Sequence, residues 1–263
     1  MRILVCFKTV YDLEYITPQE LVSLQDGSLD LSVFKKKIGS YDEAALETAL
    51  RLAEHMRRQA GTVNIHGLTA GECEKRIFGN LFPLGFDDLI HIPLDTNFPW
   101  SPELVAAGIA AFVKDQGGYD VIITGKQTGP GETGLIPYML ASRLGYPCVS
   151  EVFSLERCGR GVKVTSKTDT GQKTMTVTKP AVYAVGEAMH PYLRVATLRE
   201  KIAAGSMEAR TWSVAGAGPV PGSARFLQYE YTMPQRQYRI IEGKNLGEKM
   251  ETLWAYLQKA SNA

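Results

Sequence analysis

The four cysteines, Cys6, Cys73, Cys148 and Cys158, are scattered over 263 residues with no C-x-x-C spacing. That pattern excludes the usual zinc and iron-sulfur arrangements and argues against a disulfide scaffold. Excess charge of either sign is missing too: 29 Lys and Arg face 28 Asp and Glu, a formal net charge of +1. Nothing in that balance points to nucleic acid or to an anionic membrane. No apolar run approaches the roughly 18 residues needed to span a bilayer. The apolar opening segment, Ile3 to Phe7, is too short for a signal-peptide core. A soluble chain in a reducing cytoplasm, without membrane insertion, is expected. Catalytic signatures are also absent, with no G-K-[ST] loop, no G-x-G-x-x-G at the first strand, no nucleophile elbow and no H-E-x-x-H. His55, His66, His91 and His190 read as structural or solvated, so any chemistry belongs to a cofactor.

What is present is alternation. With 44% hydrophobic and 22% charged residues, the chain can bury a full core as one large α/β domain or as one domain with appendages. Short apolar runs at Ile3 to Phe7, Val63 to His66, Asp88 to Ile92, Val121 to Thr124 and Val182 to Val185 are separated by segments of helical period. Strands alternating with amphipathic helices predict crossover units in a doubly wound, mostly parallel α/β sheet of Rossmann-like type. Ser40-Tyr41-Asp42-Glu43 fits a capping box ahead of a helix with Ala45, Ala49, Leu52, Ala53 and Met56 on one face. A second helix is expected from Ser101, with Pro102 at its first position and Gly117-Gly118 as its stop. Polar and β-branched alternation from Val162 to Val177 around Asp169-Thr170-Gly171-Gln172 predicts a β-hairpin at the sheet edge or projecting from it. Residues 1–213 are then expected to form one α/β domain, the one that carries any ligand site. Residues 214–263 form a Gly/Pro linker and an extended C-terminal arm, ending in a helix from about Asn245 whose stripe is Leu246, Met250, Leu253, Trp254 and Leu257. That stripe must pack on its own domain or on another subunit.

The richest segment is the loop Gly125-Lys126-Gln127-Thr128-Gly129-Pro130-Gly131-Glu132-Thr133-Gly134, which leaves a strand and opens a helix. Such a loop offers bare N–H groups and a positive helix end to a phosphate; equally, the glycines can serve tight turns alone. Gln127 and Thr128 add side-chain hydrogen bonds, Thr133 is placed to cap the helix, and Lys126 brings one cation. In a doubly wound sheet, ligands bind at the carboxyl ends of strands where the strand order reverses. The loops at Cys6-Phe7-Lys8, Thr69-Ala70-Gly71 and Gly39-Ser40-Tyr41-Asp42 are candidates to share that side.

These segments resemble, in order, those of the β subunits of electron transfer flavoproteins. Ile3 to Val10 is similar to the family's first strand. Ser40 to Leu52 is similar to its Asn-Pro-aromatic-Asp turn and Glu-rich helix, with Gly39-Ser40 in place of Asn-Pro. Leu84-Gly85-Phe86-Asp87-Asp88 resembles its Met-Gly-Ala-Asp turn, and Asp120 to Gln127 its strand and Gly-x-Gln loop. Pro191 with Arg194-Val195-Ala196-Thr197-Leu198 resembles its recognition loop, and Pro234-Gln235-Arg236 a late Pro-Gln-Arg. The chain departs from the family at Pro130, Glu132 and Leu135, where Asp, Asp and Gln are usual, and at Ser166-Lys167, where Arg-Glu is common.

The resemblance implies a non-catalytic electron-carrier subunit that pairs with a larger α subunit holding the redox-active FAD and takes electrons from a dehydrogenase. It implies AMP, or a second FAD, in a site made by Cys6, Gly39, Ser40, Tyr41, Asp42, Thr69, Ala70, Gly71 and the whole loop from Gly125 to Gly134. It further implies partner contacts at Arg194, Ala196, Thr197 and Leu198, with Leu198 as the anchor into the dehydrogenase. An ATP-using α/β enzyme and a non-redox regulatory module are the rival readings.

Overall fold

The computed structural model describes residues 1–12, 17, 34–59, 61–94, 101–129, 132–205, 207–213 and 240–261. A nine-stranded sheet runs in the order β11-β5-β4-β1-β6-β10-β7-β8-β9. Its strands are β1 (Arg2–Cys6), β4 (Asn64–Ala70), β5 (Asp88–Ile92), β6 (Val121–Gly125), β7 (Cys148–Cys158), β8 (Gly161–Thr168), β9 (Gly171–Val177), β10 (Ala181–Val185) and β11 (Arg210–Thr211). Every pairing from β11 across to β7 is parallel, and β8 and β9 add antiparallel at the far edge. The doubly wound α/β reading holds, and the hairpin lies at the sheet edge. A separate two-stranded antiparallel piece joins β2 (Thr9–Tyr11) to β3 (Lys36–Ile38).

The period of β1 shows why both faces are covered. Ile3 and Val5 enter the core under α1 (Ser40–Arg58) and α2 (Lys75–Leu81), while Leu4 and Cys6 enter a second core under α3 (Pro102–Asp115) and α4 (Ile136–Leu144). Successive side chains of a strand point to opposite faces, so a strand buried on both sides must be apolar at both parities. Ala45, Ala49, Leu52, Ala53 and Met56 are all buried on α1, as their spacing predicts.

Two helix starts differ from expectation. Gly39, not Ser40, is the N-cap of α1, and no side chain caps it. Ser40 is the first helical residue and is exposed. Thr133 does not cap α4 either; Leu135 holds that place, and the Thr133 hydroxyl only accepts the Leu135 N–H at 3.4 Å. By contrast Ser101 does cap α3, accepting the Leu104 N–H at 3.3 Å with Pro102 at the first position. Past α3, Gly117 and Gly118 adopt φ of 74° and 91°, the stop anticipated from their sequence.

Strand β7 has no counterpart among the expected elements. Its apolar alternation is interrupted at a bulge between Val152 and Ser154, beside Glu151 with φ 52°. An inserted residue inverts which parity faces the core, so a period-2 pattern cannot run through it. The terminal helix forms as α6 (Leu246–Ser261) with its apolar stripe exposed. The linker from residue 214 lies outside the described residues, as do Pro130, Gly131 and Pro234-Gln235-Arg236.

Candidate functional site

After β1 the chain places β4 and β5 on one side, then crosses to place β6 and β10 on the other, so the strand order reverses between β1 and β6. Crossovers leaving the carboxyl ends of these two paired strands in opposite directions open a crevice there. A cleft of about 370 Å³ occupies that position, within the roughly 300 to 1,000 Å³ typical of small-molecule sites.

Asp42, in the first turn of α1, organises the crevice. It is only 3% exposed, and its carboxylate accepts the Lys8 N–H at 3.2 Å, the Gly125 N–H at 3.2 Å and the Thr128 hydroxyl at 2.6 Å. One side chain therefore ties the end of β1, the end of β6 and the glycine loop to a helix start. Burial pushes its pKa up to about 6 even though all three donors, and the charge of Lys8, pull the other way. Lys8 is itself lowered by burial, with Asp42 opposing. Gly125 is required for this packing. A Cβ there would lie 2.5 Å from Asp42 Oδ1 and 3.0 Å from the Tyr41 carbonyl carbon. A Cβ on Gly39 would likewise lie 2.8 Å from Thr128 Cγ2.

Of the residues expected to hold a nucleotide, Cys6, Asp42, Ala70, Gly71, Gly125, Lys126, Gln127, Thr128, Thr133 and Gly134 line the cleft. Gly39, Ser40 and Tyr41 stand behind it in the α1 turn, and Thr69, Gly129 and Glu132 do not line it. Thr69 lies on the opposite face of β4 from Leu68, which does line the cleft. Gly71 is pinned by the His91 ring, whose Nε2 lies 2.6 Å from its carbonyl, and the neighbouring Glu72 carbonyl accepts the Thr9 hydroxyl at 2.7 Å. Lys126 is not an isolated cation. Its ammonium lies 3.2 and 3.3 Å from the two oxygens of Glu151 and 5.0 Å from the centroid of the Tyr41 ring.

Sequence reasoning missed the outer wall. Val105 and Ile109 of α3, with Leu94, Leu135 and Ile136, give the cleft an apolar side, and Tyr11 and Lys36 of the β2–β3 piece close another. Lys36 pairs with Glu72 and stands over the Tyr11 ring at 4.9 Å. No local motif marks these positions; the Ser101-Pro102 helix start was the one available signal. Thr124 also lines the cleft, buried, and its hydroxyl has no hydrogen-bond partner among the described residues. A backbone cradle that excludes a Cβ, an apolar wall and an unpaired buried hydroxyl fit a nucleotide, whose base is flat and apolar on its faces and whose sugar and phosphate are polar. Among the described residues, no group of His, Cys, Asp and Glu is placed to hold a metal, and burial raises the Cys6 thiol far above its ordinary range.

The second predicted surface is the loop before α5 (Leu198–Ala204). Thr197 caps this helix in a full capping box with Glu200. Leu198 is 74% exposed, and Tyr192, Val195 and Ile202 are exposed with it. Arg194 faces inward instead. Its backbone N–H and guanidinium donate to Glu47, a residue of α1 that is 1% exposed, and it also pairs with Glu54. Ala196 is half-buried beside it.

Fold and cleft together define a doubly wound, Rossmann-like α/β protein with a cleft at its switch point. Residues 33–217 match the model of the electron transfer flavoprotein domain, and the chain belongs to that family. It is also 29% identical over 258 residues to the Escherichia coli (strain K12) protein named "Putative electron transfer flavoprotein subunit YgcR", covering 97% of this chain and 96% of that protein. Family membership ties the chain to electron transfer and to flavoproteins. Among the described residues, no helix is long and apolar enough to cross a membrane.

Proposed function

We propose that the chain is the β-type subunit of a heterodimeric electron transfer flavoprotein, an electron carrier without catalytic activity of its own, and that it binds an adenine nucleotide, AMP or a second FAD, in the switch-point cleft. The observation that carries this reading is the switch-point cleft, lined by Gly125, Lys126, Gln127, Thr128, Thr133 and Gly134 where the Gly125 backbone packs against Asp42 too closely for a Cβ. Gln127 and Thr128 would hold the phosphate, with Lys126 beside them, and the apolar wall at Val105, Ile109 and Ile136 would take the base. Flavin, held with the α-type subunit, supplies the one- and two-electron chemistry. This chain's part is to bind, to orient and to present surfaces. Tyr192, Val195, Leu198 and Ile202 offer an apolar face for the dehydrogenase donor, and the α6 stripe offers one for the α-type subunit.

Co-expression with the cognate α-type subunit tests the assignment: a yellow one-to-one complex is expected, and failure to form one would sink it. Acid release of the nucleotide from that complex, followed by chromatography, distinguishes AMP from FAD.

A further inference from the structure

Glu151 sits in a conformation that its neighbours impose. Its φ of 52° lies in the left-handed region, which a residue with a Cβ rarely enters, and it does so within strand β7. The bulge beside it and a register shift between β10 and β7 at Tyr183 and Val185 accommodate the kink. Gly186 makes room as well, since a Cβ there would lie 2.4 Å from Glu151 Oε2 and 3.3 Å from the Glu151 Cα. Strain of this kind persists only where surrounding structure over-determines it, and it gathers at functional sites. What the strain achieves here is specific: the carboxylate reaches Lys126 Nζ with both oxygens, at 3.2 and 3.3 Å, while the Tyr41 ring flanks the ammonium from another side. Lys126 lines the cleft and Glu151 stands outside its lining. The neighbouring carboxylate, Glu187, is paired with Lys167 at 2.8 Å.

We propose that Glu151 is a specificity-determining residue of the cleft, holding the Lys126 ammonium at the rim and offsetting its charge, so that the site favours an esterified phosphate over a free phosphomonoester. The proposal rests on the adenine-nucleotide reading of the cleft. A terminal phosphate carries close to two negative charges at neutral pH, whereas a phosphodiester or each phosphate of a dinucleotide's pyrophosphate carries one. Attraction scales with the product of charges, so a cation already matched by a carboxylate forfeits more with the dianion than with the monoanion.

The experiment is calorimetric titration of the purified full-length chain with AMP and with the 5′-methyl ester of AMP, near pH 7.5 at low salt. Wild type should bind the ester at least as tightly as AMP. Because the pair is partly exposed, Glu151→Gln should tighten AMP by only about fourfold and the ester by about twofold. Glu151→Gly, which also relieves the positive φ, should reproduce this ratio and covers the case in which Glu151→Gln fails to fold. Equal changes for the two ligands, or no change, would each overturn the proposal while leaving the nucleotide reading intact. Failure of wild type to bind either ligand would remove the nucleotide reading and the proposal together.

Discussion

The carboxylate of Asp42 accepts the backbone N–H of Gly125 at 3.2 Å although the two are 83 residues apart in sequence. With the bonds from Lys8 and Thr128, it locks the first turn of α1 across the ends of β1 and β6. Both strand ends and the glycine loop share one buried anion, so changes at that anion are expected to reach fold and ligand site together.

The pH dependence of that lock has a defined sign. Asp42 titrates at about 6 in the folded chain against 3.8 ordinarily, so the native state binds this proton more tightly. Its stabilising share is complete below the unfolded value and is lost as pH rises through about 4 to 6. Two pK units correspond to roughly 2 to 3 kcal/mol. Asp42→Asn removes the titration, so the stability of wild type minus that of the variant should fall by about this amount between pH 4 and pH 7. Urea unfolding of both proteins across that range measures it, and a difference that stays flat or rises would contradict the assignment.

Gly125→Ala forces a Cβ to within 2.5 Å of Asp42 Oδ1 and 3.0 Å of the Tyr41 carbonyl carbon. Backbone cannot yield there without disturbing the strand end, so a loss of about 2 kcal/mol or more is expected. Nucleotide content, measured after acid release, should fall with it.

Glu47 is held below its ordinary range. Burial pushes it up, but the hydrogen bonds and charge of Arg194, with Arg51 beside them, prevail. This contribution is present above the unfolded value of about 4.3 and is lost as pH falls through the depressed folded one. Glu47→Gln should cost about 1 to 3 kcal/mol at neutral pH, below the figure for a fully buried pair because the Arg194 side chain is 32% exposed. Hydrogen exchange should show the loop from 190 to 197 opening in the variant while β1 and β6 stay protected.

Leu198 makes its case through exposure. Leu198→Ala should change the stability of the chain by less than about 0.5 kcal/mol, as for surface positions without special contacts. If the loop docks a dehydrogenase, reduction of the complex by that donor should show a higher KM. Unchanged kinetics would remove Leu198 from the interface.

Much of the fold was legible because its signals are local. Ile3 to Phe7 and Val121 to Thr124 are too uniformly apolar for a half-exposed strand, which announces a parallel sheet covered on both faces. Ser101-Pro102 and Gly117-Gly118 mark the ends of α3 by backbone chemistry that needs no tertiary partner. The Ser40 box failed for the opposite reason. Asp42 takes its partners from β1 and β6, and the Gly39 backbone, whose N–H donates to the Lys8 carbonyl at 3.1 Å, occupies the cap. Thr133 failed likewise, since α4 begins two residues later than its cap spacing requires.

The amino-acid order by itself determined the doubly wound class, the edge hairpin, the terminal helix and the glycine loop, because hydrophobic period and turn chemistry act between near neighbours. Only tertiary structure decided that Lys126 is matched by Glu151, that Arg194 turns inward to Glu47 while Leu198 stays outside, and that α3 supplies the apolar wall of the cleft. Each of those depends on contacts between segments far apart in the chain. Such contacts are selected by which strands lie side by side and by which charges cannot be buried alone.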